Sequence, residues 1–171
     1  MTAPELALVV PCHNEVARLR PEAFIQFLST HPGVHLVMVD DGSADGTGEC
    51  SSAMRLAAPA AITVVRHSPR RGKAEAVRAG ILAGLEQRAA LVGFFDADLS
   101  TPLRAIDDFL AVLRVRPDVE FVLGSRVMPD GPRRQAEGHS SLPRAGVSPP
   151  PCRTPSTFPC TTPSVALRFS G

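Results

Sequence analysis

The chain has 171 residues, a length that is enough for one domain with a hydrophobic core. Its formal net charge is +1, and 20% of its residues are charged. This near-neutral balance gives no reason to expect nucleic acid or an anionic membrane as a bulk electrostatic partner. The N-terminus lacks a basic segment, and no run reaches the ~20 apolar residues of a membrane span. We therefore expect a cytoplasmic protein with four reduced cysteines, which form no CxxC pair.

Over residues 5–128 the sequence alternates between short aliphatic runs and amphipathic segments. The aliphatic runs predict five strands, at 5–10, 34–39, 61–67, 90–95 and 119–125. The segments between them predict four helices, at 21–31, 45–58, 72–87 and 101–115. Such alternation is typical of an α/β fold with a mainly parallel sheet and flanking helices.

The composition changes at Pro129. Nine of the 17 prolines lie from Pro129 onward, and no helical or strand periodicity continues there. The sequence therefore predicts a disordered tail over residues 129–171, following a folded domain over residues 1–128.

Distinctive polar side chains cluster where the predicted strands end. In chain order they are Pro11, His13 and Glu15; Asp40 and Asp41; Arg70, Arg71 and Lys73; Asp96 and Asp98; and Arg126. Ligands of an open parallel sheet bind outside the carboxyl ends of its strands. These groups are therefore expected to form one site at one edge of the sheet.

Asp96 and Asp98 are separated by a single small residue, Ala97. Paired carboxylates of this kind suit Mg²⁺ or Mn²⁺ bridging a diphosphate, because these ions take oxygen ligands and share phosphate oxygens. The alternative is a helix cap, in which Asp98 and Ser100 open the next helix. Capping accounts for one of the two acids only.

The other polar groups each admit two interpretations. Asp40 and Asp41 either form an ordinary Asp-Gly-Ser turn or accept hydrogen bonds from a nucleotide. The basic stretch 70–73 is either a phosphate neighbourhood at a helix start or a solvated turn. Arg126 suits a diphosphate or a surface salt bridge. Cys12 has no base-and-orienter pair nearby and is interpreted as a core residue.

Five blocks carry a family resemblance: VVPCHNE, MVDDGSADGT, RRGKAEAVRAGI, FFDADLSTP and VLGSR. In order and spacing they resemble the inverting family 2 glycosyltransferases of the GT-A fold, a Rossmann-like fold of nucleotide-diphospho-sugar transferases. The branch they resemble most is the dolichyl- and polyprenyl-phosphate glucose and mannose synthases. The resemblance covers residues 5–128 and implies a GT-A domain that is incomplete at its C-terminus.

The resemblance also implies roles for individual residues. Asp96 and Asp98 would hold Mg²⁺ or Mn²⁺, with Asp98 as the catalytic residue. The nucleotide would be bound by Pro11, His13, Glu15, Asp40, Asp41, Lys73, Asp96, Ala97 and Arg126, with Asp41 at the base and Ala97 against the ribose. A lipid phosphate oxygen would attack the anomeric carbon of UDP-glucose or GDP-mannose, with a preference for glucose. Contact with the membrane would be peripheral, at its inner face.

Two other functions remain open from the sequence. A truncated fragment would bind a nucleotide sugar without transferring it. A sugar nucleotidyltransferase has a related fold, but the Gly-rich loop that it needs near Pro11 is missing.

The C-terminal sequence also suggests a frameshift. Regrouping the possible codons of residues 160–171 one nucleotide earlier allows Tyr-Asp-Thr-Gln-Cys-Gly-Ala-Lys-Val-Phe-Arg, which resembles a motif that family members carry after the GSR block. We therefore expect a frameshift between about Pro129 and Ser141.

Overall fold

The computed structural model describes residues 3–124 and 165–168. Its strands are β1 (Leu6–Cys12), β2 (Val34–Asp40), β3 (Ile62–Arg66), β4 (Leu91–Phe94), β5 (Phe121–Leu123) and β6 (Val165–Arg168). Its helices are α1 (Pro21–Thr30), α2 (Thr47–Ala57), α3 (Lys73–Glu86) and α4 (Ala105–Val115). None of these helices is long and apolar enough to cross a membrane.

The strands form one sheet in the order β3-β2-β1-β4-β6-β5. Strands β1 to β4 are parallel to one another, and β6 runs antiparallel to both β4 and β5. The predicted parallel α/β architecture is therefore confirmed. In the register of β1 and β2, Cys12 lies opposite Asp40, so the two strands end level and the loops that follow them start side by side.

Strand β6 corrects one prediction from the sequence. Disorder was expected throughout 129–171, yet Val165–Arg168 pairs with β4 on one side and β5 on the other. Strand β4 has β1 on its other edge, so β6 satisfies backbone groups of β4 that would otherwise be unpaired. The rest of the predicted tail, and the expected position of the frameshift, lie outside the described residues.

Apolar side chains pack on both faces of the sheet, as parallel strands require. On one face, alternate residues of β1 and β2 pack against α1, α2 and α4; on the other face, the remaining residues pack against α3. The helical spacing of Phe24, Phe27 and Leu28 in the sequence predicts that they share one apolar face of α1, and all three are buried.

Helix α3 packs on the sheet through small residues. Its apolar repeat Val77, Ile81 and Leu85 predicts an amphipathic helix, and Ile81 and Leu85 do pack against the core as partly buried residues. The fully buried residues are Ala76, Gly80 and Gly84, on the adjacent stripe. A Cβ atom added to Gly80 would collide with the Val9 side chain and lie 2.9 Å from the Val39 side chain. Small residues every four positions therefore allow α3 to lie close against β1 and β2.

Replacing Gly80 with valine is expected to destabilise the fold. Valine has the better intrinsic helix propensity, but overpacking a tight core costs about 1–3 kcal/mol and outweighs that gain. Urea unfolding followed by circular dichroism measures the change. Arg78→Val is the matched control, because it places the same side chain on α3 at a position that is 66% exposed. Equal stability of the two variants would contradict this packing.

Candidate active site

The loops after β1, β2, β3 and β4 meet at one edge of the sheet. Backbone hydrogen bonds tie them together: Asp41 N–H donates to the Cys12 carbonyl at 2.8 Å, and His67 N–H donates to the Asp40 carbonyl at 2.8 Å. Phe95 N–H donates to the Val9 carbonyl at 2.9 Å. The sequence-predicted polar groups therefore share an edge as expected, except for Arg126, which lies outside the described residues.

The acid pair follows β4 at this edge. The Asp96 side chain is 11% exposed, and its Oδ1 accepts a hydrogen bond from Lys73 Nζ at 2.6 Å. The Asp98 side chain is 27% exposed, and its Oδ2 lies 4.0 Å from Arg18 Nη1. Each acid thus has a cationic side chain beside it.

The capping alternative for Asp98 is wrong. Asp98 Oδ1 accepts a hydrogen bond from the Ser100 backbone N–H at 3.0 Å, which closes a local turn. Helix α4 begins only at Ala105, four residues after its predicted start, and its N-cap Arg104 makes no side-chain capping bond. Pro102 and Leu103 lie in the turn that precedes the helix, so Asp98 is too far from α4 to cap it.

The acid pair fits a metal that is completed by substrate. In residues 3–124 and 165–168, no group of three or more His, Cys, Asp or Glu side chains is arranged to hold a metal ion. Mg²⁺ commonly binds through one or two carboxylates and takes its other ligands from water and phosphate. Asp96 and Asp98 supply two such carboxylates, and both are partly open to solvent.

Asp41 is buried and holds the loop between β3 and α3. Its side chain is 3% exposed. Oδ1 accepts hydrogen bonds from His67 Nδ1 at 2.9 Å and from the Arg71 N–H at 2.8 Å, while Oδ2 accepts one from the Gly72 N–H at 2.8 Å. Burial raises the pKa of the Asp41 carboxyl, but these hydrogen bonds outweigh it and hold the pKa below its ordinary value.

Asp40 takes the turn interpretation. Its Oδ1 accepts a hydrogen bond from the Ser43 N–H at 3.0 Å, and its Oδ2 accepts one from Arg66 Nε at 3.2 Å. Gly42 in this turn has φ +70°, and an added Cβ would lie 2.9 Å from the Arg70 backbone nitrogen. The turn therefore requires glycine for its conformation and for its close approach to the next loop.

The loop after β1 is tied to the loop after β2. His13 Nδ1–H donates to the Asp41 carbonyl at 3.0 Å, which leaves Nε2 as an acceptor. The Asn14 N–H donates to Ser43 Oγ, and Asn14 Oδ1 accepts from the Ala44 N–H, both at 3.0 Å. The two loops thus form one wall of the site, with the His13 ring partly exposed on it.

Glu15 carries a carboxylate oxygen with an unmet hydrogen-bonding need. Arg18 Nη2 donates to Glu15 Oε1 at 2.7 Å, and the Glu15 N–H donates to Thr47 Oγ1 at 2.8 Å. Glu15 Oε2 is buried and has no hydrogen-bond partner in the described part of the chain. A buried acceptor of this kind is costly unless a ligand supplies a donor, which agrees with the expected place of Glu15 in the nucleotide site.

The remaining predicted residues form the floor of the site. Pro11 is buried at the end of β1, and Ala97 is only 4% exposed. Cys12 is 2% exposed. Burial raises the pKa of the Cys12 thiol, and the nearby Glu15 and Asp40 carboxylates raise it further. The thiol stays protonated, so its interpretation as a core residue is confirmed.

Three residues of the site were not singled out from the sequence. Arg18 pairs with Glu15 and lies near Asp98, and the His67 ring is buried against Asp41. Thr47 Oγ1 accepts a hydrogen bond from the Glu15 N–H. A signal existed for two of them. Arg18 lies three residues after Glu15, and His67 directly follows β3, where a parallel sheet places ligand and loop contacts.

Comparison with known proteins gives the same assignment as the fold. The family described as Glycosyl transferase family 2 matches residues 7–170. Polyprenol monophosphomannose synthase of Mycolicibacterium smegmatis is 31% identical over 124 residues, which is 72% of this chain and 46% of that protein. Dolichol-phosphate mannosyltransferase of Mycosarcoma maydis is 33% identical over 132 residues, covering 73% of this chain and 43% of that one. The chain thus spans less than half the length of these relatives.

Solved structures show a fold similar to that of this chain. The mannosyltransferase PcManGT from Pyrobaculum calidifontis, in complex with GDP-Man and Mn²⁺, has a TM-score of 0.55 and 25% identity, over 70% of this chain and 35% of that one. S. aureus TarS 1–349 has a TM-score of 0.51 at 20% identity, over 74% and 38% of the two chains, and it supports the fold alone. The expected GT-A architecture is confirmed, and the chain belongs to glycosyl transferase family 2.

Proposed function

We propose that the chain binds GDP-mannose and moves its mannose to a polyprenyl phosphate, with inversion at the anomeric carbon. The observation that carries the proposal is the acid pair Asp96 and Asp98, partly exposed at the carboxyl end of β4 with Lys73 and Arg18 beside it. This arrangement suits a diphosphate bridged by a divalent cation. It lies at the edge where an open parallel sheet binds its ligands.

The names of the relatives support mannose over glucose. Polyprenol monophosphomannose synthase and dolichol-phosphate mannosyltransferase are both mannose enzymes, as is an undecaprenyl-phosphate mannosyltransferase of Micrococcus luteus at 29% identity. The PcManGT structure holds GDP-Man and Mn²⁺. We therefore place GDP-mannose before UDP-glucose, which the regrouped C-terminal motif had favoured.

The reaction needs few groups from the protein. An oxygen of the acceptor phosphate attacks the anomeric carbon, and the bond from that carbon to the diphosphate breaks. The electron pair leaves with the nucleoside diphosphate. The acceptor phosphate is already anionic near pH 7, so no general base is required.

The residues of the chain would hold the leaving group in place. Asp96 and Asp98 would hold Mg²⁺ or Mn²⁺, which when bound neutralises charge that builds on the leaving diphosphate. Lys73 would place an ammonium group next to the same phosphates, and Arg126 would contact them as well. His13, Glu15 and Asp41, with Ala97, would line the nucleoside, and Asp98 remains the proposed catalytic residue.

A second candidate is a nucleotide-sugar-binding fragment that lacks transfer. It is supported by the described site, whose residues are all ones proposed to hold the donor. Under this alternative the chain binds the nucleotide sugar and transfers nothing. For a transferase, the lipid acceptor would bring the chain to the inner face of the membrane as a peripheral protein.

A transfer assay distinguishes these candidates. The chain is incubated with Mn²⁺, undecaprenyl phosphate and either radiolabelled GDP-mannose or radiolabelled UDP-glucose, and the lipid fraction is counted. Label from GDP-mannose in the lipid fraction is the expected result. Donor binding without lipid labelling would reject transfer and support the fragment, while labelling from UDP-glucose alone would overturn the choice of mannose.

A further inference from the structure

We propose that Lys73 and the divalent cation compete for Asp96, and that the cation releases the Lys73 ammonium to the diphosphate. This inference rests on the proposed role of Asp96 and Asp98 in holding the metal. It gives Lys73 two successive partners: the Asp96 carboxylate first and the phosphate oxygens afterwards. Lys73 is thereby a positioning residue that links metal binding to nucleotide binding.

Lys73 and Asp96 form a direct ion pair, with Lys73 Nζ 2.6 Å from Asp96 Oδ1. A metal bound about 2.1 Å from an oxygen of Asp96 would compete with the ammonium for the negative charge of the same carboxylate. An ammonium and a divalent cation at such close range also repel each other. Binding of either cation to Asp96 therefore weakens binding of the other.

The backbone at Lys73 is anchored, whereas its side chain is exposed. Lys73 is the first residue of α3, and the two residues before it, Arg71 and Gly72, donate their N–H groups to the buried Asp41 carboxylate. The Lys73 side chain is 47% exposed and the Asp96 side chain only 11%, so the longer and more exposed lysine side chain is the one that changes position when a cation binds.

Asp98 is less closely paired with a cation than Asp96 is. Arg18 Nη1 lies 4.0 Å from Asp98 Oδ2, while Arg18 Nη2 donates to Glu15 Oε1 at 2.7 Å. Arg18 is therefore held mainly by Glu15 and blocks Asp98 little. Removal of Lys73 should change metal affinity more than removal of Arg18.

The test measures Mn²⁺ affinity without nucleotide, by the electron paramagnetic resonance signal of free Mn²⁺. Lys73→Met is expected to bind Mn²⁺ about threefold to tenfold more tightly than wild type, the range of a partly exposed ion pair. Arg18→Met is expected to change the affinity less than Lys73→Met. Arg78→Met is the matched control, because it removes one positive charge from the same helix, where Arg78 pairs with Glu75 at 3.1 Å.

A second measurement, of GDP affinity, should show weaker binding in the variant that binds Mn²⁺ more tightly. With Mn²⁺ saturating, Lys73→Met should bind GDP about tenfold more weakly than wild type, because the released ammonium is missing from the phosphates. Lys73→Arg should keep most of the GDP affinity. Unchanged Mn²⁺ affinity or unchanged GDP affinity in Lys73→Met would overturn the inference while leaving the proposed function intact. Failure of wild type to bind Mn²⁺ even with GDP would overturn both.

Discussion

Asp98→Ala is expected to abolish Mn²⁺-dependent nucleotide binding. Asp98 supplies one of the two carboxylates at the end of β4, and its Oδ2 is open toward solvent apart from Arg18 at 4.0 Å. Without it the metal keeps a single carboxylate, so we expect the affinity for GDP in Mn²⁺ to fall about 100-fold or more. Isothermal titration calorimetry with GDP measures the change.

A control variant separates loss of the site from loss of charge. Asp108→Ala removes one carboxylate from an exposed position in the first turn of α4, outside the acid pair. It should bind GDP as wild type does. The assigned role of Asp98 would be wrong if Asp98→Ala kept the affinity of the Asp108→Ala control.

Asp41→Ala is expected to destabilise the protein more than any other single change at the site. It leaves the His67 imidazole and the N–H groups of Arg71 and Gly72 without their acceptor. Each buried donor left without an acceptor costs about 1–3 kcal/mol. Because two of these donors are only part-buried, we expect the free energy of unfolding to fall by roughly 3–5 kcal/mol in total. Urea unfolding with the Asp108→Ala control measures the loss. A loss within about 0.5 kcal/mol of the control would contradict the role of Asp41 as the anchor of this loop.

The same interaction predicts a pH dependence. The pKa of Asp41 is lower in the folded protein than in the unfolded chain, so the folded state binds its proton less readily. This stabilisation is present above the unfolded pKa of about 3.9 and is lost as pH falls through the folded pKa. The stability difference between wild type and Asp41→Asn should therefore shrink from about pH 7 to about pH 3. A stability difference that stays constant between these pH values would contradict the lowered pKa of Asp41 in the folded protein.

The sheet was predictable because its information is local. Apolar runs such as 6–10 and 36–39 are buried on both faces, and that pattern is visible within four or five residues. The polar groups at the strand ends followed from topology, since parallel strands bring their carboxyl ends to one edge. Asp96 and Asp98 were placed there for that reason.

The remaining differences have physical causes. The role of Gly80 and Gly84 in α3 was not predicted, because periodicity counts large apolar residues. The start of α4 was set four residues early, because residues 102–104 form tight i→i+3 turns that lead directly into the helix. Strand β6 was missed because its partners, β4 and β5, are remote in sequence.

Asp41 shows why the details of the site could not be predicted. Its three donors lie 26 to 31 residues further along the chain, so no local motif indicates that the carboxylate faces the next loop. The sequence offered a turn or a nucleobase contact. The structure adds a third role, in which a buried carboxylate shapes the loop that leads to Lys73.

The most direct test of the account is the binding of GDP to the wild-type chain with Mn²⁺ and with EDTA, measured by calorimetry. The account predicts binding that is at least about tenfold tighter with Mn²⁺, since Asp96 and Asp98 reach the diphosphate through the metal. Equal affinity in Mn²⁺ and in EDTA would contradict a metal-bridged nucleotide site at this edge of the sheet.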